Sequence, residues 1–218
     1  MTARRLAPAG GPAGRLRGDQ GSVIIELAFV APLLIILVLG VVEFGTVFRN
    51  QTIVTSATRQ AGRVESQSSS TLTVDELAIQ TFMAGTSGLR NMSLQRLVVF
   101  TAPPTGVVPP ACVTAVITGT KPYGVNGTCN VYSAAQASAL VADPVGNAVN
   151  FGCGGIANVT GTTWDGNWCP GARSTALVTL MTRVGVYARF TYTDVTNLFS
   201  TKTMTITSTA IFAIQPSV

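Results

Sequence analysis

Glu26 is the single charged side chain between Val23 and Val42, in a run that is otherwise apolar or small. A carboxylate there costs about 2.5–3.5 kcal/mol at mid-membrane and less near the interface, so it calls for a cationic partner. The other reactive groups lie far downstream. Cys112, Cys129, Cys153 and Cys169 form an even set with no CxxC pair, and the chain has no histidine. That points to two disulfides with three pairings open, or more plainly to free buried thiols, and away from zinc. Trp164 and Trp168, in TTWDGNWCPG, are candidates for an exposed contact surface facing a partner or sugar. Their plainer reading is that they plug a loop onto a sheet. Without histidine, G-x-S-x-G, a GK[ST] phosphate loop or a recognisable carboxylate pair, nothing points to an enzyme, a cofactor, a metal or a small-molecule substrate.

The element that must position Glu26 is a helix. From Val23 to Val42 it spans about 30 Å at roughly 1.5 Å per residue, the thickness of a bilayer's hydrocarbon core. No A-x-A cleavage site follows the run, and what precedes Gly21 is basic and rich in Gly and Pro, so an ordinary signal peptide is not expected. Arg4, Arg5, Arg15 and Arg17 precede the span with only Asp19 opposing them. The positive-inside rule then keeps the N-terminus cytoplasmic and sends the C-terminal part outward, where thiols oxidise. The net charge of +5 sits almost wholly beside this span. Residues 1–63 hold seven basic and three acidic groups, leaving seven and six of the 14 and nine for the remainder, so nucleic acid is not an expected partner.

Glu26 is the fifth residue after Gly21, in GSVIIE, and here the chain resembles type IV prepilins. That resemblance implies a cut by prepilin peptidase between Gly21 and Ser22. It also implies that Glu26 neutralises the new α-amino group of a neighbouring subunit, a pair that costs less in an apolar bundle than either charge alone. Beyond Glu26, the chain carries Ala28, Pro32, Gly40, Glu43, Gly45, Ala57, Arg59, Ala61, Gly62 and Arg63 in a pattern similar to the TadE family, the pilin-like proteins of tight-adherence (Flp-type) systems. The resemblance is close over roughly residues 18–65. Leu27 stands where the small major pilins of that system usually have Tyr, and 218 residues is far longer than a major pilin. Both departures point to a minor pilin or pseudopilin. No D-x-S-x-S metal motif of the larger relatives occurs.

Pro32 removes the helical partner of the Ala28 carbonyl, so a kink near 28–32 is expected. Gly40 and Gly45 offer smooth faces to another helix. Ile53, Ala57, Ala61 and Val64 keep one face apolar beyond the span, with Arg59 and Arg63 off it. The expected fold is α+β. A basic leader (1–21) precedes a transmembrane and extended helix (22–65). An extracytoplasmic domain (66–218) follows, with a small antiparallel sheet and a disulfide-rich loop region.

Within that domain, 66–73 is a polar hinge, and Thr73 with Glu76 forms a capping box for a helix with Val74, Leu77, Ala78 and Phe82 on one face, ended by Gly85. Strands are expected at 94–101, 113–118, 184–192 and 203–214, the last two forming an antiparallel pair joined through 194–201, with a helical turn at 133–141. Val184, Val186, Ala188, Phe190 and Tyr192 share one face; Met204, Ile206, Ser208, Ala210, Phe212 and Ile214 share another. Asn126 and Asn158 open glycosylation sequons, which carry no weight in a bacterial chain. Two functional expectations follow. The first is a structural subunit of the bacterial envelope, single-pass in the cytoplasmic membrane or carried into a pilus, that meets the peptidase and other pilin-like subunits through its N-terminal helix. The second is an uncut signal-anchored protein with an adhesive or interaction domain.

Overall fold

The computed structural model describes residues 20–67, 71–118, 122–153, 163–173, 183–195 and 203–214. Residues 1–19 of the basic leader, the middle of the hinge, Asn158 and most of the connection between the last two strands lie outside the described residues. The chain divides into two compact units, residues 1–42 and 43–218.

Helix α1, Gln20–Gln67, runs through Pro32 without interruption and belongs to the first unit up to Val42. It outlasts the expected end at Glu65, because the Ser66 hydroxyl turns back to donate to the Arg63 carbonyl at 2.9 Å and stays compatible with the helix. The described part of the first unit is therefore one helical segment whose side chains from Ser22 to Val42 are almost all exposed.

The second unit holds the core. In chain order it contains the rest of α1, then α2 (Val74–Gly85), β1 (Met92–Thr101), α3 (Pro110–Thr114), β2 (Tyr123–Val125), β3 (Cys129–Ser133), α4 (Ala134–Ala142), α5 (Pro144–Ala148), β4 (Arg183–Tyr192) and β5 (Met204–Ala213). The strands form one antiparallel sheet in the order β2-β3-β1-β4-β5. The expected pairing of β4 with β5 is present, from Arg183 opposite Ala213 to Tyr192 opposite Met204. On β5 the alternation holds: Ile206, Ser208 and Ala210 are buried while Thr205, Thr207 and Thr209 are exposed.

One sheet face packs on the helices. Val54, Ala57 and Ala61 of α1 meet Ala78, Ile79 and Phe82 of α2, and Leu97, Val99, Val184, Val186, Ala188 and Phe190 of the sheet. Burial of each large aliphatic or aromatic side chain contributes about 1.5–3 kcal/mol. The helix approaches β5 closely at Gly62, where an added Cβ would come within 2.7 Å of the Phe212 ring. The other face is covered by residues 102–117, with Val98, Phe100, Val131 and Tyr187 packed around the bridged Cys112 and Cys129. Gly185 is required there: the Phe100 ring lies across it, 2.2 Å from where a Cβ would stand. A strand buried on both faces, as β4 is, cannot show a polar stripe.

Three local expectations are corrected. Residues 113–118 form no strand. Pro110 opens the short helix α3 in its place, and the carbonyls of Val113 and Ala115 accept from the Arg96 guanidinium instead of from a neighbouring strand. The strands of this region are β2 and β3, read in the sequence as loop. The Thr73 side chain makes no cap, and Glu76 accepts instead from Gln80 Nε2 at 3.1 Å. A capping box does form at Ser133 and Gln136, opening α4. On α2, Leu77 is 48% exposed, and Asp75 and Ile79 take the buried face with Val74, Ala78 and Phe82.

Candidate functional site

Of the residues marked for processing and assembly, Gly21 lies in the first turn of α1, and Ser22 and Glu26 are exposed. Pro32 is exposed in the same run, and Gly40 has nothing within 4 Å of a built Cβ. Val23, Phe29, Leu33 and Val41 are each more than 60% exposed, so their apolar surface is left for something outside the chain. A helix of this length and apolarity supports a membrane anchor. Among the described residues, no ion pair reaches Glu26.

The two later carboxylates of α1 are treated differently. Glu43, the first residue of the second unit, is 5% exposed. It accepts from the Tyr192 hydroxyl at 2.6 Å, and the Val195 N–H lies 3.2 Å from both of its oxygens. Burial first, and the adjoining Glu43 carboxylate second, push the Tyr192 phenol well above its ordinary range. Two turns on, Asn50 Nδ2 donates to the Arg90 carbonyl at 2.9 Å.

Glu65, at the far end of α1, enters a buried charged cluster. The Arg173 guanidinium bridges two carboxylates, Nη1 to Glu65 Oε2 and Nη2 to Asp75 Oδ1, each at 2.6 Å, with all three side chains inaccessible. Asp75 Oδ2 accepts from Asn130 Nδ2 at 2.8 Å and from the Tyr132 hydroxyl at 2.5 Å. Arg173 also lies over the Trp168 ring, 4.2 Å from its centroid, and donates to the Trp168 carbonyl at 3.2 Å. Asn130 fastens the same tryptophan, with Nδ2 donating to its carbonyl and Oδ1 accepting its N–H, both at 2.8 Å. One guanidinium thus serves two acids. Burial, and then the Asp75 charge, raise Glu65 well above the usual carboxylate range, and burial likewise raises Tyr132 and Asp165. Arg173 resists its own burial and is held charged by Asp75 and Glu65.

The cysteines pair as Cys112–Cys129 and Cys153–Cys169, settling which of the three pairings occurs. The first bridge ties α3 to β3. The second closes the loop before Arg173, a loop further held by Asp165, which accepts from the N–H groups of Gly152 at 2.8 Å and Cys153 at 3.2 Å. Trp164 and Trp168 do not form an exposed surface: they are 4% and 6% exposed. Trp164 stands edge-on to Phe151 at 5.5 Å, and Phe151 packs on Tyr132, because the loop folds its rings onto the helical face of the sheet.

Sequence reasoning noted Glu43 only as a motif position and Glu65 only as a helix end; Asp75, Asn130, Tyr132 and Arg173 escaped it. The available signal was Arg173 itself, the single cation between Lys121 and Arg183. Chemically the cluster offers fixed charges and no nucleophile. Among the described residues, no three His, Cys, Asp or Glu side chains converge as metal ligands. Its effect is to join α1, α2, β3 and the bridged loop.

No curated protein and no solved structure matches the chain. A family model does, over the stretch that carries Glu26, Pro32, Glu43 and the Arg59–Arg63 segment: residues 21–63 match the TadE family, described as TadE-like protein, and that stretch of the chain is TadE-like.

Proposed function

We propose that this chain is a minor pilin or pseudopilin-like structural subunit of a tight-adherence (Flp) pilus or a related type IV pilus-like secretion machinery. The TadE-like match over residues 21–63 supports an involvement with such systems. The observation that carries the finer reading is the exposed apolar face of residues 22–42 with one carboxylate in it, Glu26, at the fifth position after Gly21. A bundle of neighbouring helices would bury that face, and the α-amino group of Ser22, once freed by a prepilin peptidase, would supply the cation for Glu26. The arginines ahead of the span favour an inside N-terminus and an outside C-terminal domain, and two disulfides suit that compartment. The role is structural in this reading: Glu43, Glu65, Asp75 and Arg173 are engaged in holding the second unit together.

Intact-mass measurement of the mature protein tests the cut, and an N-terminus other than Ser22 refutes it. Glu26→Gln tests assembly: the variant is expected to insert and fold normally but to drop out of sheared pilus fractions. Undiminished incorporation favours the uncut, signal-anchored envelope protein, a reading that the self-contained core of residues 43–218 also accommodates.

A further inference from the structure

We infer that the free edge of β5 is a strand-pairing surface whose partner is the β5 edge of a second copy of this chain, joined antiparallel so that two five-stranded sheets run on as one. The inference does not depend on how the N-terminal helix is used, because every residue it invokes lies in the second unit.

The two edges of the sheet are built differently. β2 closes one side with three residues, Tyr123–Val125. Pro122 stands directly ahead of it, and Gly124 sits at a φ of +136°. The turn that follows is tied to the bridged loop, where the Gly127 N–H donates to the Asn167 carbonyl at 2.7 Å. Shortness, proline and irregular backbone are the means by which natural sheets keep an edge from pairing. β5 closes the other side and has none of them. Its ten residues, MTITSTAIFA, include no charge and no proline. They run along β4 without a shift from Met204 to Ala213, whereas the β1–β4 ladder slips between Leu94 and Arg96. In such a regular strand, half of the backbone N–H and C=O groups point away from the neighbour already paired. Among the described residues, no further strand lies beyond β5 and no backbone group from outside the sheet bonds to it.

The occupant follows from what this edge offers. It carries no charge by which to select an oppositely charged partner, but its alternation is fixed. Thr205, Thr207 and Thr209 are exposed while Ile206, Ser208 and Ala210 are buried, and a one-residue slip would reverse both sets. A two-fold axis perpendicular to the sheet leaves every residue of both copies on its own face. Threonine then meets threonine on one side, a favourable cross-strand pairing, and the buried set meets itself on the other. The cation beside the threonines is Arg189, opposite Thr207 on β4. In the joined sheet the two β4 strands stand three strand spacings apart, about 14 Å, beyond the Debye length of about 8 Å at physiological salt. The edge therefore matches its own copy in pattern and meets no repulsion from it.

The test uses the full-length, disulfide-intact chain in micelles kept in excess over protein. A nitroxide on Thr207→Cys reports β5, and one on Ser93→Cys reports β1, two strands inward on the same face. Light scattering is expected to find a dimer. Electron paramagnetic resonance is expected to place the labels at 207 within about 15 Å of each other, and those at 93 at least five strand spacings apart, about 24 Å. Thr205→Lys with Thr209→Lys sets like charges across the junction and is expected to weaken the dimer about tenfold or more with unchanged circular dichroism. Mixing it with the Thr205→Glu, Thr209→Glu variant is expected to restore pairing. A parent chain that stays monomeric overturns the inference. A dimer whose labels at 207 lie no closer than those at 93 also overturns it, since the copies then meet elsewhere, as through the N-terminal helix. So does a folded lysine variant that dimerises as tightly as the parent, or a mixture that fails to pair. Should the lysine variant not fold, the label distances alone decide.

Discussion

Glu26, in the part of α1 that belongs to the first unit, is exposed among apolar side chains, whereas Glu43 and Glu65, in the part that belongs to the second, are buried and hydrogen-bonded within their own unit. The glycines divide farther along the chain. Gly40 and Gly45 have open space around a built Cβ, while Gly62 and Gly85 would strike Phe212 and Ala57 at 2.7 and 3.0 Å. A carboxylate or a glycine completed inside the chain contributes to stability. One left open contributes to whatever the chain meets.

The sharpest way to break this contrast is to remove the cation of the closed half. Arg173→Met leaves Glu65 and Asp75 buried and uncompensated, and is expected to lower unfolding free energy by about 3–5 kcal/mol. Denaturant unfolding of the full chain in micelles, followed by far-UV circular dichroism together with the fluorescence of Trp164 and Trp168, measures it; a loss below about 1 kcal/mol would show the cluster to be incidental. Next comes the bridge that shapes the same loop. Cys153→Ser with Cys169→Ser opens a 16-residue separation and is expected to cost about 3 kcal/mol. Combined with Arg173→Met the losses should fall short of their sum, because the bridge acts partly by holding Arg173.

Gly62→Ala against Gly45→Ala compares the two kinds of glycine directly. The first is expected to cost about 1–3 kcal/mol by overpacking Phe212. The second should cost nothing in the isolated chain, and gains up to about 1 kcal/mol of helix propensity. Equal effects would erase the distinction. The smallest effect concerns Glu65→Gln. A proton on Glu65 lets its otherwise unpartnered Oε1 donate toward Asp75 while Oε2 still accepts from Arg173, and glutamine reproduces both contacts. The variant should stay within about 1 kcal/mol of the parent. Its pH profile differs more. With the folded Glu65 raised above its unfolded value, the folded state binds the extra proton, so its contribution is full below the unfolded carboxylate range and falls as pH rises through the raised folded value. Stability measured across that window should decline with pH in the parent and flatten in Glu65→Gln.

The parts of the molecule that were legible in the sequence are those whose pattern is local. α1 shows as an unbroken apolar run followed by a three- and four-residue stripe, and β5 shows as alternation because it buries one well-defined face through most of its length, whereas β4, buried on both faces, shows as an apolar and aromatic run. Ser133 and Gln136 show how the same local rule can succeed at one helix and fail at another: Thr73 has Glu76 at the required spacing, yet Gln80 and the burial of Asp75 turn that end of α2 elsewhere. The strand expected at 113–118 failed because the carbonyls of Val113 and Ala115 are satisfied by a side chain, Arg96. The charged cluster was not legible at all, since Glu65, Asp75, Asn130 and Arg173 become neighbours only through the fold. Of the two readings of the tryptophans, the plug onto the sheet holds and the contact surface does not: composition alone cannot tell a ring that faces solvent from one that closes over Phe151 and Tyr132.

The spacing of that cluster along the chain also sets a clock. Arg173 follows Asp75 by 98 residues and Glu65 by 108. At about 5–20 residues per second of synthesis, the two acids emerge roughly 5–20 s before the residue that neutralises them. During that interval the end of α1 cannot settle into its final seat without leaving two carboxylates buried and uncompensated. Seating of the end of α1 is therefore expected only once Arg173 and the two strands beyond it, β4 and β5, have been made.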